Sequence, residues 1–141
     1  MNFDGYALPI KKLKGTEPVE SLDLSGKKLG VASTIVIASL ISGNGRLTSM
    51  DLSGNQLCGV WTQFVEQDGT YTAEGIAAIA EALRVNGSLT SLNLSDNQLC
   101  GLDQYGYTEG LDQYDHGSYT AEGITVIADA LRVNGVLMEV R

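Results

Sequence analysis

Two hydrophobic periods alternate along the chain. Apolar residues stand two apart at Leu22/Leu24, Met50/Leu52 and Leu92/Leu94, the period of a short strand with one buried face. Between these pairs, Ile76, Ile79, Ala80 and Leu83, and again Ile124, Ile127, Ala128 and Leu131, fall at the spacing of one helix face. Thr72 and Thr120 are placed to cap those helices, with Glu74 and Glu122 in the first turn, where the helix dipole favours an acid. Asn86-Gly87 and Asn134-Gly135 suit the left-handed residue that stops a helix. A degenerate copy of the helical block occupies Gly30–Gly45, anchored by Ile37, Ala38, Ile41, Asn44 and Gly45. The predicted order is strand, loop, helix, turn, repeated.

The repetition extends to the letters. Val19–Leu29, Leu47–Leu57 and Leu89–Leu99 align position by position, and a fourth copy begins at Leu137. The motif Leu-x-x-Leu-x-Leu-x-x-Asn-x-Leu stands intact at Leu89–Leu99, and at Leu47–Leu57 with Met50 in place of one Leu. In these residues the chain resembles the leucine-rich repeat family, of the ribonuclease-inhibitor-like type. The resemblance covers residues 19–141 and implies an α/β fold: a short solenoid with a parallel sheet on the concave side and helices on the convex side. It implies that Asn55 and Asn97 turn inward as a ladder that satisfies backbone groups of neighbouring turns, since a buried amide needs partners. Lys27 takes the equivalent place in the first repeat and departs from the pattern. Residues 1–18 are expected to form an atypical N-terminal cap.

The repeats differ in one respect. From the last motif leucine to the first of the next repeat is 18 positions in the first (Leu29 to Leu47), 32 in the second (Leu57 to Leu89) and 38 in the third (Leu99 to Leu137). The excess falls between strand and helix, within 58–71 and 100–119, and insertions in a solenoid map to loops on one face. These two loops hold seven of the nine aromatic residues, Trp61, Phe64, Tyr71, Tyr105, Tyr107, Tyr114 and Tyr119, and the single histidine, His116. They also carry Glu66, Asp68, Asp103, Glu109, Asp112 and Asp115, with no Lys or Arg. Rigid aromatic side chains at loop tips are what interfaces use as anchors, so these eight residues are the candidate partner-binding set. The concave strands offer a weaker candidate strip, Asp23, Asp51 and Asn93, flanked by small serines.

Charge sharpens this picture. The net charge is −8, from 17 carboxylates against 9 basic residues, which argues against nucleic acid and anionic membrane surfaces. Residues 57–129 hold eleven carboxylates and only Arg84, while the remainder of the chain is slightly basic. The longest apolar run, Ile35–Ile41 interrupted by Ser39, is too short to span a bilayer. Met1-Asn2-Phe3-Asp4-Gly5 lacks the features of a signal peptide, so a cytoplasmic setting with reduced thiols is expected. Cys58 and Cys100 hold the same register and lie near enough, on adjacent strands, for a disulfide to be the alternative. Two thiols and one distant histidine make a poor zinc set, and the acidic loops match no EF-hand spacing for Ca²⁺. No cofactor, metal site or catalytic set is expected: His116 has no evident nucleophile partner, and no phosphate-cradling Gly-Lys-Ser/Thr motif occurs.

The expectation is a protein–protein interaction module with an unidentified protein partner. The alternative is a structural unit that pairs with another copy through an open C-terminal strand edge at Val136–Arg141. Activation of a GTPase, an activity found within this repeat type, ranks third and rests on fold analogy alone.

Overall fold

A computed structural model of the chain describes residues 2–3, 6–63, 66–69, 72–97, 99, 122–135, 137 and 139–140, with backbone only for 2–3, 60–63 and 66–69. At the start, β1 (Asn2–Phe3) and β2 (Tyr6–Ala7) form a small antiparallel hairpin, followed by a short helix α1 (Ile10–Lys14). Three repeats follow: β3 (Ser21–Asp23) with α2 (Val31–Ile41), β4 (Ser49–Asp51) with α3 (Glu74–Val85), and β7 (Ser91–Asn93) with α4 (Glu122–Val133). Within the second repeat stand β5 (Val60–Gln63) and β6 (Glu66–Gly69), and β8 (Glu139–Val140) opens a fourth. β3, β4, β7 and β8 lie side by side in that order as one parallel sheet. Its register places Leu22, Met50, Leu92 and Val140 in one row, the equivalence read from the repeat. The helices stack in chain order, α1 on α2, α2 on α3 and α3 on α4.

The core lies between sheet and helices. Leu24, Leu29, Leu47, Met50, Leu52, Leu57, Leu89, Leu92 and Leu94 are buried, and so are Ile37, Ile41, Ile76, Ile79 and Leu83 from the helices. Deleting one such leucine side chain costs about 2–5 kcal/mol, and each repeat contributes several. One close approach depends on glycine. A Cβ at Gly75 would sit 2.8 Å from the Leu57 carbonyl and 3.1 Å from Thr34, so α3 can enter its groove only without a side chain there.

Two ladders of asparagine tie the stack together. The first stands at the strand ends. Asn55, 3% exposed, donates through Nδ2 to the carbonyls of Leu24 and Leu52, both at 2.9 Å, and accepts at Oδ1 from Lys27 N at 2.9 Å and Leu29 N at 3.0 Å. Asn97 repeats the pattern one turn on, donating to Leu52 O and Leu94 O at 2.8 and 3.0 Å and accepting from Leu57 N at 3.3 Å. Lys27, which stands at the equivalent place in the first repeat, takes part through its backbone, and its Nζ lies 5.5 Å from the centre of the Tyr6 ring.

The second ladder stands at the helix ends, where the sequence suggested a left-handed stop. Asn86 is extended instead, with φ −76° and ψ 125°, and neither Gly87 nor Gly135 adopts positive φ. The side-chain amide does the terminating. Asn86 Nδ2 donates to Ile41 O at 2.7 Å and Asn44 O at 3.1 Å, and its Oδ1 accepts from Ser88 N and Leu89 N at 2.9 and 2.7 Å. Asn44 reaches back in the same way to Lys12 O and Leu13 O, so α1 occupies the place of an upstream helix. The cap of α3 also shifts by one residue. The helix begins at Glu74 after Ala73, and the Thr72 hydroxyl, two positions ahead, accepts from Glu74 N at 3.2 Å.

Candidate interaction surfaces

On the concave sheet the outward residues close turns. Asp23 Oδ1 accepts from Ser25 N at 2.9 Å and from Ser25 Oγ at 2.6 Å. Asp51 does the same with Ser53, at 2.9 and 2.6 Å, and Asn93 with Ser95, at 3.0 and 2.8 Å. An Asx side chain that bonds two residues ahead mimics a backbone turn, and here it steers the chain off each strand. The Ser25 hydroxyl, then its N–H, hold the Asp23 carboxyl below the usual aspartate range; Lys27 adds a weaker pull and desolvation a weak opposing push. The three residues therefore each have a local task, and the signal for it, a serine two positions on, is visible in the sequence.

A shallow groove of about 390 Å³ lies at the sheet edge where β3 and β4 begin, lined by Pro18, Val19, Glu20, Gly45, Arg46 and Thr48. Its backbone is already engaged: the Glu20 carbonyl accepts from Thr48 N, Ser49 N and Thr48 Oγ1. Among the described residues no three or more His, Cys, Asp or Glu converge as metal ligands.

The first insertion has a form that its sequence did not announce. β5 and β6 pair antiparallel, Val60 with Gly69, Trp61 with Asp68, Thr62 with Gln67 and Gln63 with Glu66, in a two-stranded sheet separate from the concave one. The hairpin rises from a closed neck. Thr72 N donates to Cys58 O at 2.9 Å, Gly59 N to Gln56 O at 2.9 Å and Gln56 N to Leu29 O at 2.8 Å, while Gly59 turns the chain at φ +81°. Cys58, at the foot, is buried. Trp61 thus stands on a hairpin strand, opposite Asp68. Phe64, Tyr71, Tyr105, Tyr107, Tyr114, His116 and Tyr119 lie outside the described residues, and so does Cys100. Among the described residues, no helix is long and apolar enough to cross a membrane.

Comparison with known proteins agrees with this architecture. The family model "Leucine Rich Repeat" matches residues 88–106. Among curated proteins none matches the chain. Among solved structures, one described as "Leiomodin-1 Actin-Binding Site 2 (ABS2)" is similar over 94% of this chain and 75% of its own, at 17% sequence identity and a TM-score of 0.54. The matched motif and the parallel sheet backed by stacked helices give the chain the fold of a short α/β leucine-rich-repeat solenoid.

Proposed function

We propose that the protein is a protein-recognition module that makes contact through its strand-to-helix insertions, 58–71 and 100–119. Trp61, Phe64, Tyr71, Tyr105, Tyr107, Tyr114, His116 and Tyr119 are the contact residues in this reading, set among acidic neighbours. The observation that carries it is the closed neck under the β5–β6 hairpin. The bond from Thr72 N to Cys58 O joins the two ends of the insertion at its base, so the strand-to-helix step of the solenoid is bridged beneath the hairpin, which supports a task for the insertion beyond that step. The concave residues Asp23, Asp51 and Asn93 support the same choice from the other side, because each already serves its own turn.

We read residues 1–18 as a cap and 19–141 as repeats of the ribonuclease-inhibitor-like type, on the strength of one helix per repeat behind the sheet and of Asn44 treating α1 as an upstream helix. A cytoplasmic setting suits a chain with only two cysteines. The similar solved structure is named as an actin-binding site, which supports protein recognition as a use of this fold and makes actin the first defined partner to try. The test is affinity capture with the intact protein beside a version in which 60–69 and 101–119 are each replaced by a short glycine turn, both checked for equal helical content. Partners held by the intact protein and lost by the trimmed one bear the reading out; an unchanged set of partners overturns it.

A further inference from the structure

The three asparagines of the helix-end ladder are each followed by glycine: Asn44-Gly45, Asn86-Gly87 and Asn134-Gly135. The fold does not require glycine at these places. None of the three has positive φ, and a Cβ on any of them would meet nothing within 4 Å. The chemistry of the asparagine is nevertheless affected, because the nitrogen of a following glycine is unshielded and its backbone is the freest to rotate. That nitrogen reaches the asparagine Cγ and closes a five-membered ring once the carboxamide leaves its hydrogen bonds.

The rungs differ in how deeply they bury that carboxamide. Asn44 and Asn86 are 2% and 4% exposed, with each side chain bonded to backbone at both its nitrogen and its oxygen. Each of these two rungs is also overlaid by the next one, since Asn44 O accepts from Asn86 Nδ2 and Asn86 O from Asn134 Nδ2. Asn134 is half-buried. It donates to Leu83 O at 2.6 Å, only distantly to Asn86 O at 3.4 Å, and accepts from Leu137 N at 2.6 Å. Its helix is less covered than α3: Ile124 is 46% exposed where the equivalent Ile76 is fully buried. Segments with less buried apolar surface open more readily than well-covered ones.

We propose that Asn134-Gly135 is a covalent modification site, deamidating in the folded protein while Asn44 and Asn86 are protected. The Gly135 nitrogen gives up its proton and bonds to Asn134 Cγ. The Cγ–Nδ2 bond breaks, and Nδ2 leaves as ammonia carrying that proton. Water, the only co-reactant, then opens the succinimide at either carbonyl, leaving aspartate or isoaspartate. The amide that donated to Leu83 O becomes a carboxylate facing that carbonyl, and the rung between α3 and α4 is lost. The result is a slow, one-way loosening of α4, the helix that follows the second insertion.

The test is incubation of the full chain at neutral pH and 37 °C, followed by peptide mapping with an isoaspartate-specific label, beside a denatured sample and the Gly135→Ala variant. The folded protein should gain about one mass unit at Asn134 first, with Asn44 and Asn86 unchanged, whereas the denatured chain reacts at all three. Gly135→Ala should slow the reaction at Asn134 roughly tenfold or more without lowering the melting temperature. Equal rates at the three sites in the folded protein overturn the proposal. So does an inert Asn134 over a period in which the denatured chain reacts, or an unchanged rate in the variant.

Discussion

At the residue scale, the turns after the three strands show two solutions to one problem. Gly26 and Gly54 cross it at φ +62° and +67°, and Asp96 does the same work at φ +57°. Space is not the reason for glycine, since a Cβ at Gly54 would meet only ordinary contacts at 3.7 Å and beyond. The left-handed backbone is, and a residue with a Cβ pays about 1 kcal/mol for it. Asp96→Gly should therefore raise stability by about 0.5–1 kcal/mol, read as a higher urea midpoint with an unchanged slope. The neighbouring Asx turns supply a second comparison. Asn93 closes its turn as Asp23 does, without a titratable group. The folded Asp23 carboxyl is held below its ordinary value of 3.8, so its contribution is present above that pH and lost as pH falls through the lower folded value. Asp23→Asn should keep the turn and flatten that part of the acid dependence, measured as melting temperature against pH. By period alone these aspartates are outward residues of the sheet; the serine two positions on carries the signal of their task, and the 2.6 Å bonds to Ser25 and Ser53 show it.

At the scale of elements, legibility follows the length and number of copies of a pattern. The strands and α3 and α4 were readable because their apolar spacing recurs in register, and Asn55 and Asn97 stand within the motif that implied an inward ladder. The second ladder was not readable. Asn-Gly after a helix has a commoner local explanation, and the true partners of Asn86, Ile41 O and Asn44 O, lie 45 and 42 residues away. The β5–β6 hairpin escaped notice because four-residue strands with mixed polar residues carry little periodicity. The cap elements are shorter still. The energetic weight of the hidden ladder is testable. Asn86→Ala leaves the Ile41 carbonyl and two amides without their side-chain partner in a buried interface, so it should cost about 3 kcal/mol or more, against roughly 1 kcal/mol for Asn93→Ala at the exposed turn. Equal losses in denaturant titrations would place the weight of the stack elsewhere than in its asparagines.

At the scale of the whole molecule, the scaffold and the proposed contact surface separate along the sequence. The ladders, the leucine rows and Gly75 belong to the repeated segments, while the insertions 58–71 and 100–119 hold seven of the nine aromatic residues and six of the 17 carboxylates, with no Lys or Arg. Residues 57–129 carry eleven carboxylates and one Arg, while the rest of the chain is slightly basic. In the proposed recognition these acidic segments attract a basic partner surface, and adding salt should slow their association more than it speeds dissociation. The division itself is checked most directly by the thermal melt of the protein with 60–69 and 101–119 trimmed. The neck bond from Thr72 N to Cys58 O closes the solenoid below the first insertion, so the trimmed protein should melt within roughly 3 °C of the parent. A fall of roughly 10 °C or more would show that the insertions hold the core together, and would contradict their assignment as a free contact surface.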